Sequence, residues 1–350
     1  MTDPSFQLLV QQLLTNGGPH LLVADENLRG APLHLLPTDT TTIITNRYDL
    51  YDQAQSSGFN CYYNDFDFSV FDDNSFNQVL YRVSKEKSVA HHVINSSRRL
   101  LANNSTLVLS GAKNDGIKTY TDKAAHYFGT RATSEKQGSV YLAVIHHLSS
   151  SEQPLNDHDY HQLRPCISQT SPSNDQRLYS KPGLFGWDKV DMGSAFLAEH
   201  LSDFFTLFSH PPEHILDLGC GYGYLSVLAK QYVEANITAT DNNAAAIAAC
   251  SKNFTLAGIE GDVIAGDCAE NINKKFDAVI CNPPFHQGFN TDNRLTQRFV
   301  TSCHQHLKPG GKALFVVNQF VPLESCAENL FQVSSFGKNK RFKLVLLEKH

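Results

Sequence analysis

The chain has 350 residues, 41% of them hydrophobic, which is too many for one ordinary core and points to two globular domains. Its 29 Lys and Arg against 35 Asp and Glu give a net charge of −6, so the average surface lacks the basic cast of a protein that covers phosphates. No cationic stretch leading into an apolar one opens the sequence, no apolar run is long enough to span a membrane, and the eight cysteines show no Cys-x-x-Cys spacing; reduced thiols in a cytoplasmic protein, without zinc or a disulfide framework, are expected.

In chain order, the first half carries short apolar runs at residues 20–24, 42–45, 76–81, 100–109 and 140–145 that read as strands. The first run leads into Asp25-Glu26-Asn27-Leu28-Arg29-Gly30, and the third into Arg82-Val83-Ser84-Lys85. Residues 151–182 hold Ser, Asn, Asp, Gln and Pro with few apolar residues and read as a linker between domains at 1–150 and 183–350.

The second half opens its chemistry at His214-Ile215-Leu216-Asp217-Leu218, a strand that runs into Gly219-Cys220-Gly221-Tyr222-Gly223-Tyr224 and then a helical pattern through Leu225, Leu228 and Tyr232. Glycines let the backbone turn sharply and approach a ligand, and the following helix N-terminus offers unpaired N–H groups. A dinucleotide fingerprint wants a third glycine where Tyr224 stands. Asp217, two residues before the loop, would repel a pyrophosphate but favour an ammonium or sulfonium; S-adenosylmethionine carries both. Residues 236–241 read as a second strand ending in Asp241, placed about 20 residues past the loop where an acid accepts from ribose hydroxyls, with Asn242 behind it near the adenine. A third strand, 262–265, ends at Gly266-Asp267-Cys268, where Asp267 suits the adenine amino group and Cys268 offers a backbone donor. Each acid taken singly reads equally well as a helix N-cap; their order after the glycine loop is what makes the set specific.

The next strand, 276–281, stops at Asn282-Pro283-Pro284-Phe285. Two prolines end the ladder and stiffen the turn. The Asn282 oxygen and the Pro283 carbonyl can then accept both N–H bonds of a planar amine, with Phe285 stacked on its ring. The last strands, near 312 and in a hairpin of 331–336 with 342–347, complete a plan that the first half repeats strand for strand, without the glycines and without the Asn-Pro-Pro-aromatic tetrad.

Asp217-Leu218-Gly219-Cys220-Gly221-Tyr222-Gly223 and Asn282-Pro283-Pro284-Phe285 resemble the cofactor loop and amine signature of class I S-adenosylmethionine-dependent methyltransferases. With residues 183–194, Phe285-His286-Gln287-Gly288 and Thr291-Asp292, essentially the whole chain resembles the RsmC-type ribosomal RNA guanine-N2-methyltransferases, which modify small-subunit RNA. That resemblance implies two tandem Rossmann-like class I methyltransferase domains. Each would be a seven-stranded mixed sheet with helices on both faces, the N-terminal copy degenerate and left to RNA docking or support. It implies Asn282, Pro283 and Phe285 as catalytic residues. Asp217, Gly219, Cys220, Gly221, Gly223, Asp241, Asn242, Asp267, Cys268 and Asn282 would hold S-adenosylmethionine, with Asp191 near its methionine end. The expected partner is ribosomal RNA, within the small subunit, met by a monomer that needs no metal. Basic clusters at Arg98-Arg99, Lys85 with Lys87, and Lys338, Lys340, Arg341 and Lys343 read as solvated surface when taken singly. Two other readings stay open from the residues alone. Guanine N2 of large-subunit ribosomal RNA, adenine N6 and glutamine amides present the same flat NH2, and a binding factor can keep a relic of the fold.

Overall fold

A computed structural model describes residues 3–148, 152–168, 177–284 and 293–350. The chain divides into two units, residues 1–162 and 163–350.

The first unit runs α1 (Pro4–Leu14), β1 (His20–Ala24), β2 (Thr41–Thr45), α2 (Tyr48–Ser56), β3 (Asn60–Tyr63), β4 (Phe76–Arg82), α3 (Lys87–Leu100), β5 (Leu101–Gly111), α4 (Ile117–Tyr127), β6 (Glu135–Gln137) and β7 (Val140–His146). Its strands form one sheet in the order β3-β2-β1-β4-β5-β7-β6. The first five are parallel and the last two antiparallel. β3 is not signalled by the sequence: Asn60-Cys61-Tyr62-Tyr63 is an edge strand and carries no apolar run.

The second unit begins with a ribbon of β8 (Arg164–Ser168) and β9 (Arg177–Ser180). It continues α5 (Met192–Ala198), α6 (Leu201–Phe205), β10 (His214–Leu218), α7 (Tyr224–Ala229), β11 (Asn236–Asp241), α8 (Ala244–Ala257), β12 (Gly261–Ala265), β13 (Phe276–Cys281), α9 (Asn293–His306), β14 (Leu307–Asn318), α10 (Leu323–Ala327), β15 (Gln332–Lys338) and β16 (Phe342–Glu348). Its seven-stranded sheet, β12-β11-β10-β13-β14-β16-β15, repeats the first sheet strand for strand.

The expected fold is therefore present twice, and its registers match in detail. β4 pairs β5 from Phe76↔Leu101 and slips before Gln78↔Thr106; β13 pairs β14 from Phe276↔Leu307 and slips before Ala278↔Lys312. The bulge needs a left-handed residue in each copy: Gly310 at φ 74° in the second, and in the first Asn104 at φ 63°, the side chain that best tolerates that region after glycine.

Both sheets are buried on both faces, as parallel sheets under crossover helices must be. In β10, Ile215 joins one core and Leu216 and Leu218 the other; in β13, Ala278 and Ile280 alternate with Val279 and Cys281 in the same way. α7 is shorter than the sequence pattern predicts. It ends at Ala229, where turns from Leu228 to Gln231 and from Ala229 to Tyr232 tighten the chain and leave Tyr232 half exposed. The polar stretch 151–182 is shared between the units. Tyr160 is buried against the first sheet and donates to Asp65 Oδ1 at 2.7 Å, and Asn95 exchanges two 2.8 Å bonds with Leu155. In the ribbon, Asn253 of α8 bonds both the N–H and the C=O of Tyr179.

Candidate active site

The parallel strands of the second sheet end together at one edge, where open α/β sheets place ligands. The glycine loop leaves β10 there. Gly219 and Cys220 both donate to the Thr240 carbonyl at 2.9 Å, which pins the loop to the end of β11. Gly219, Gly221 and Gly223 all have positive φ, at 81°, 52° and 84°. Their surroundings differ. A Cβ on Gly223 would meet Cys250 Sγ at 2.8 Å and one on Gly219 would meet Phe299 at 3.2 Å, whereas one on Gly221 would meet nothing within 4 Å. Gly223 and Gly219 are glycines for packing; Gly221 faces open space.

Asp217 is 1% exposed. Its Oδ2 accepts from the Ser226 N–H at 3.2 Å and hydroxyl at 2.6 Å, while the equally buried Oδ1 has no hydrogen-bond partner among the described residues. Burial pushes this carboxyl up to about 7, the Ser226 bonds pull it back, and Asp241 pushes it further up. Asp241 has one backbone N–H on each oxygen, from Gly221 at 3.0 Å and Asn243 at 2.8 Å. Asn243 caps α8, and Asn242 is nearly buried beside it. Cys220 is buried, with its thiol raised by Cys250 and by desolvation, so it contributes backbone and not a thiolate. At the end of β12, Asp267 is paired with Arg298 of α9, and Cys268 takes the left-handed region at φ 55° with its carbonyl held by Ser302 Oγ at 2.6 Å.

At the end of β13, Asn282 is half-buried, Pro283 buried and Pro284 exposed. The Asn282 Nδ2 donates to Asp191 Oδ2 at 2.9 Å and to Ser194 Oγ at 2.7 Å. With both amide hydrogens committed, the oxygen is what this side chain offers to a ligand. Asp191 does this while capping α5, its Oδ2 also accepting the Ser194 N–H at 2.9 Å. Asp191, expected near the methionine end of the cofactor, thus stands in direct contact with the Asn282 amide. Ser194 and Ser226 were not singled out by sequence. Each sits where a capping pattern would have pointed: Ser194 three residues after Asp191, Ser226 in the first turn after the loop. Arg298 gives no sequence signal. Phe285, His286, Gln287, Gly288, Thr291 and Asp292 lie outside the described residues.

The first sheet carries different side chains at the equivalent strand ends. Six residues on from Phe76, where the second copy has Asn282, stands Arg82, tied to Asp3 at 3.1 Å and Asp115 at 2.8 Å. Tyr81, in the place of Cys281, is fully buried and donates to Asp25 Oδ2 at 3.3 Å while accepting from the Ser84 N–H. Asp25 takes two more bonds from Asn27, and burial pushes it up to about 7. The acid and the phenol are thus buried and bonded to each other at these strand ends.

This pair of sheets defines a tandem class I methyltransferase fold in which only the second copy carries the glycine loop and the Asn-Pro-Pro turn. Family models agree: Methyltransferase small domain N-terminal matches residues 7–161 and Methyltransferase small domain matches residues 175–346. The chain belongs to the ribosomal RNA small subunit methyltransferase C family. It is 30% identical to that protein of Erwinia tasmaniensis over 268 residues, 76% of this chain and 74% of the relative. It is 25% identical to that of Aliivibrio salmonicida over 98% of both. The match to that of Pseudomonas paraeruginosa, 32% identical, spans 62% of the relative. The fold is also that of the T. thermophilus 16S rRNA N2 G1207 methyltransferase (RsmC), solved in complex with AdoMet and guanosine, with TM-score 0.85 and 21% identity over 99% of this chain and 92% of that one.

Proposed function

We infer that the second unit transfers a methyl group from S-adenosylmethionine to the exocyclic N2 of a guanine in small-subunit ribosomal RNA. The observation that carries this is the Asn282 amide, whose hydrogens are held by Asp191 and Ser194 so that its oxygen is left to accept from a ligand, one residue before the Pro283 carbonyl. Two acceptors at one strand end suit a planar NH2 group.

The residues fit the cofactor. The buried Asp217 Oδ1 is short of a donor, which an ammonium supplies, and Asp241 keeps a second lone pair on each oxygen for ribose hydroxyls. Gly221 leaves the space a ligand would fill. Asp267 and Cys268 line the adenine end, and Asn242 stands between. When bound, the cofactor supplies an electrophilic methyl group on a sulfonium.

The chain's own part is positioning. Asn282 Oδ1 and the Pro283 carbonyl accept from the two N–H groups of the target amine and aim its lone pair. Because an aryl amine is delocalised into its ring, those bonds also favour a pyramidal nitrogen and stabilise the positive charge that develops on it. To Phe285, outside the described residues, we assign the stacking on the base that its place after the two prolines implies. Alignment of this kind supplies up to roughly 7–11 kcal/mol of a barrier. The proton leaves the nitrogen after the methyl arrives, so no base with a shifted pKa is required. A guanine stacked within folded RNA must first be extruded, at a cost of a few kcal/mol.

The first unit acts as folded support and not as a second centre. Its Arg82 is offset by Asp3 and Asp115, Lys85 lies 3.9 Å from Asp115, and Tyr81 is buried and bonded to Asp25. Mass spectrometry of nucleosides after incubating small-subunit ribosomal RNA with isotope-labelled cofactor tests the reaction. Label in N2-methylguanosine is expected; label in N6-methyladenosine, in protein glutamine or nowhere refutes it.

A further inference from the structure

Beyond the amine pocket, the same sheet edge carries an aromatic and three cations that the methyl transfer does not use. β14 runs past the end of β13: Cys281 is level with Phe315, and Asn318 lies three residues further, roughly 10 Å along the strand. There the chain turns, the Val321 N–H donating to the Asn318 carbonyl at 3.0 Å, and Phe320 at the corner is 95% exposed. Across the ladder Asn318 pairs with Phe342, which brings the turn between β15 and β16 alongside.

That second turn is rigid. Asn339 Oδ1 accepts from the Arg341 and Phe342 N–H groups at 2.9 and 2.8 Å, and the Gln319 N–H donates to the Arg341 carbonyl at 3.0 Å. Lys338, Lys340 and Arg341 are all exposed, and none has an acidic partner among the described residues; Lys343, by contrast, is paired with Glu324 at 2.6 Å. The platform reaches the site: Arg341 lies on the Met192 sulfur at 3.2 Å, and Met192 follows Asp191, which holds Asn282.

A fully exposed phenylalanine gains nothing from folding, and three cations without an acidic partner among the described residues lie on the turn beside it. The duplicated fold supplies an internal control. The corresponding hairpin of the first unit keeps an exposed cation, Lys136, at the register of Lys338, but turns through Gly138-Ser139, where no cation stands. Lys340 and Arg341, and not Lys338, are particular to the copy with the candidate site.

We propose that Phe320 with Lys338, Lys340 and Arg341 is a docking platform for the single-stranded RNA next to the extruded guanine, Phe320 stacking on a neighbouring base and the cations contacting the phosphates on either side. An aromatic beside cations is how proteins hold unpaired strands without reading their sequence. This rests on the proposed reaction at Asn282.

The test compares full-length wild type, Phe320→Ala, and Lys338→Ala with Lys340→Ala. Two quantities are read on transcribed small-subunit ribosomal RNA: equilibrium binding across a salt series, and KM and kcat for methylation. Phe320→Ala should weaken RNA binding and raise KM roughly 5- to 150-fold, the range of one base–aromatic stack, with cofactor affinity and kcat unchanged. The double lysine variant should lower the slope of log K against log salt by about 0.7 for each phosphate it no longer neutralises. Unchanged binding and slope in both variants overturn the proposal. So does an effect seen only on assembled subunits, which would assign the platform to a protein partner. Binding is read without turnover, so a wild type that binds RNA yet methylates no guanine N2 refutes the reaction and leaves the platform testable.

Discussion

The orientation of the Asn282 amide should be worth more than its presence. Asp191 and Ser194 hold its hydrogens at 2.9 and 2.7 Å. If the amide rotates, donors face the donors of the target amine and one of the two acceptors is lost. A hydrogen bond to a charged group contributes about 1.5–3 kcal/mol, and one to a neutral group about 0.5–1.5 kcal/mol. Asp191→Ala should therefore lower kcat by roughly 10- to 150-fold and Ser194→Ala by roughly 2- to 12-fold. Asp191→Ala also removes the cap of α5, at about 0.5–2 kcal/mol of stability. Asp191→Asn separates the two effects, since an amide oxygen can still accept from the Ser194 N–H and from Asn282; its kcat should stay within the range of Ser194→Ala. The assay is initial rates at saturating cofactor, with cofactor affinity from isothermal titration and unfolding followed in parallel. Near-normal kcat in Asp191→Ala, with only a stability loss, would refute the orienting role.

The other expectations concern the loop and the two buried carboxyls. Gly221→Ala and Gly258→Ala impose the same kind of strain, at φ 52° and 61°, with no protein atom near the new methyl. Both should lose about 1–2 kcal/mol of stability, but only Gly221→Ala should lose cofactor affinity; equal titrations would sink the placement of the ligand at the loop. Asp217 titrates near 7 in the free protein and must be ionised to meet an ammonium, so cofactor affinity should fall about tenfold per pH unit below that value and level off above it. Isothermal titration across that window should find the slope abolished in Asp217→Asn; a flat wild-type profile argues against the pairing. Asp25 is raised from 3.8 to about 7 in the folded state, so the native chain binds more protons than the unfolded one between those values and stability falls as pH rises through them. Melting temperatures should show Asp25→Asn gaining on wild type across that interval, and a constant difference would show that Asp25 does not titrate there. Asn282→Ala should keep cofactor affinity and lose turnover, as single-turnover kinetics would reveal.

Most of this fold could be read from the sequence because a parallel sheet buried on both faces must be written as short apolar runs. His20–Ala24, His214–Leu218 and Phe276–Cys281 stand out for that reason. β3 did not, since an edge strand need bury only part of one face and can be Asn-Cys-Tyr-Tyr. The site was legible where backbone conformation dictates residue type, at the glycines with positive φ and at the two prolines. It was illegible where a side chain serves another side chain. Nothing in the spelling of residues 191–194 announces that Asp191 and Ser194 reach across to Asn282.

The duplication shows why the cofactor loop and the tetrad could be lost while the fold was kept. The bulge beside Phe76 survives, with Asn104 in the left-handed place that Gly310 fills in the other copy, because the register of β5 depends on it. At Arg82 no such constraint acts. Arg82 is the last residue of β4, so any side chain that finds partners is tolerated there, and Asp3 and Asp115 supply them. The buried bond between Tyr81 and Asp25 adds a second obstacle to restoring a site. Restoring Asn at 82 alone would strip two acids of their cation and leave that bond in place.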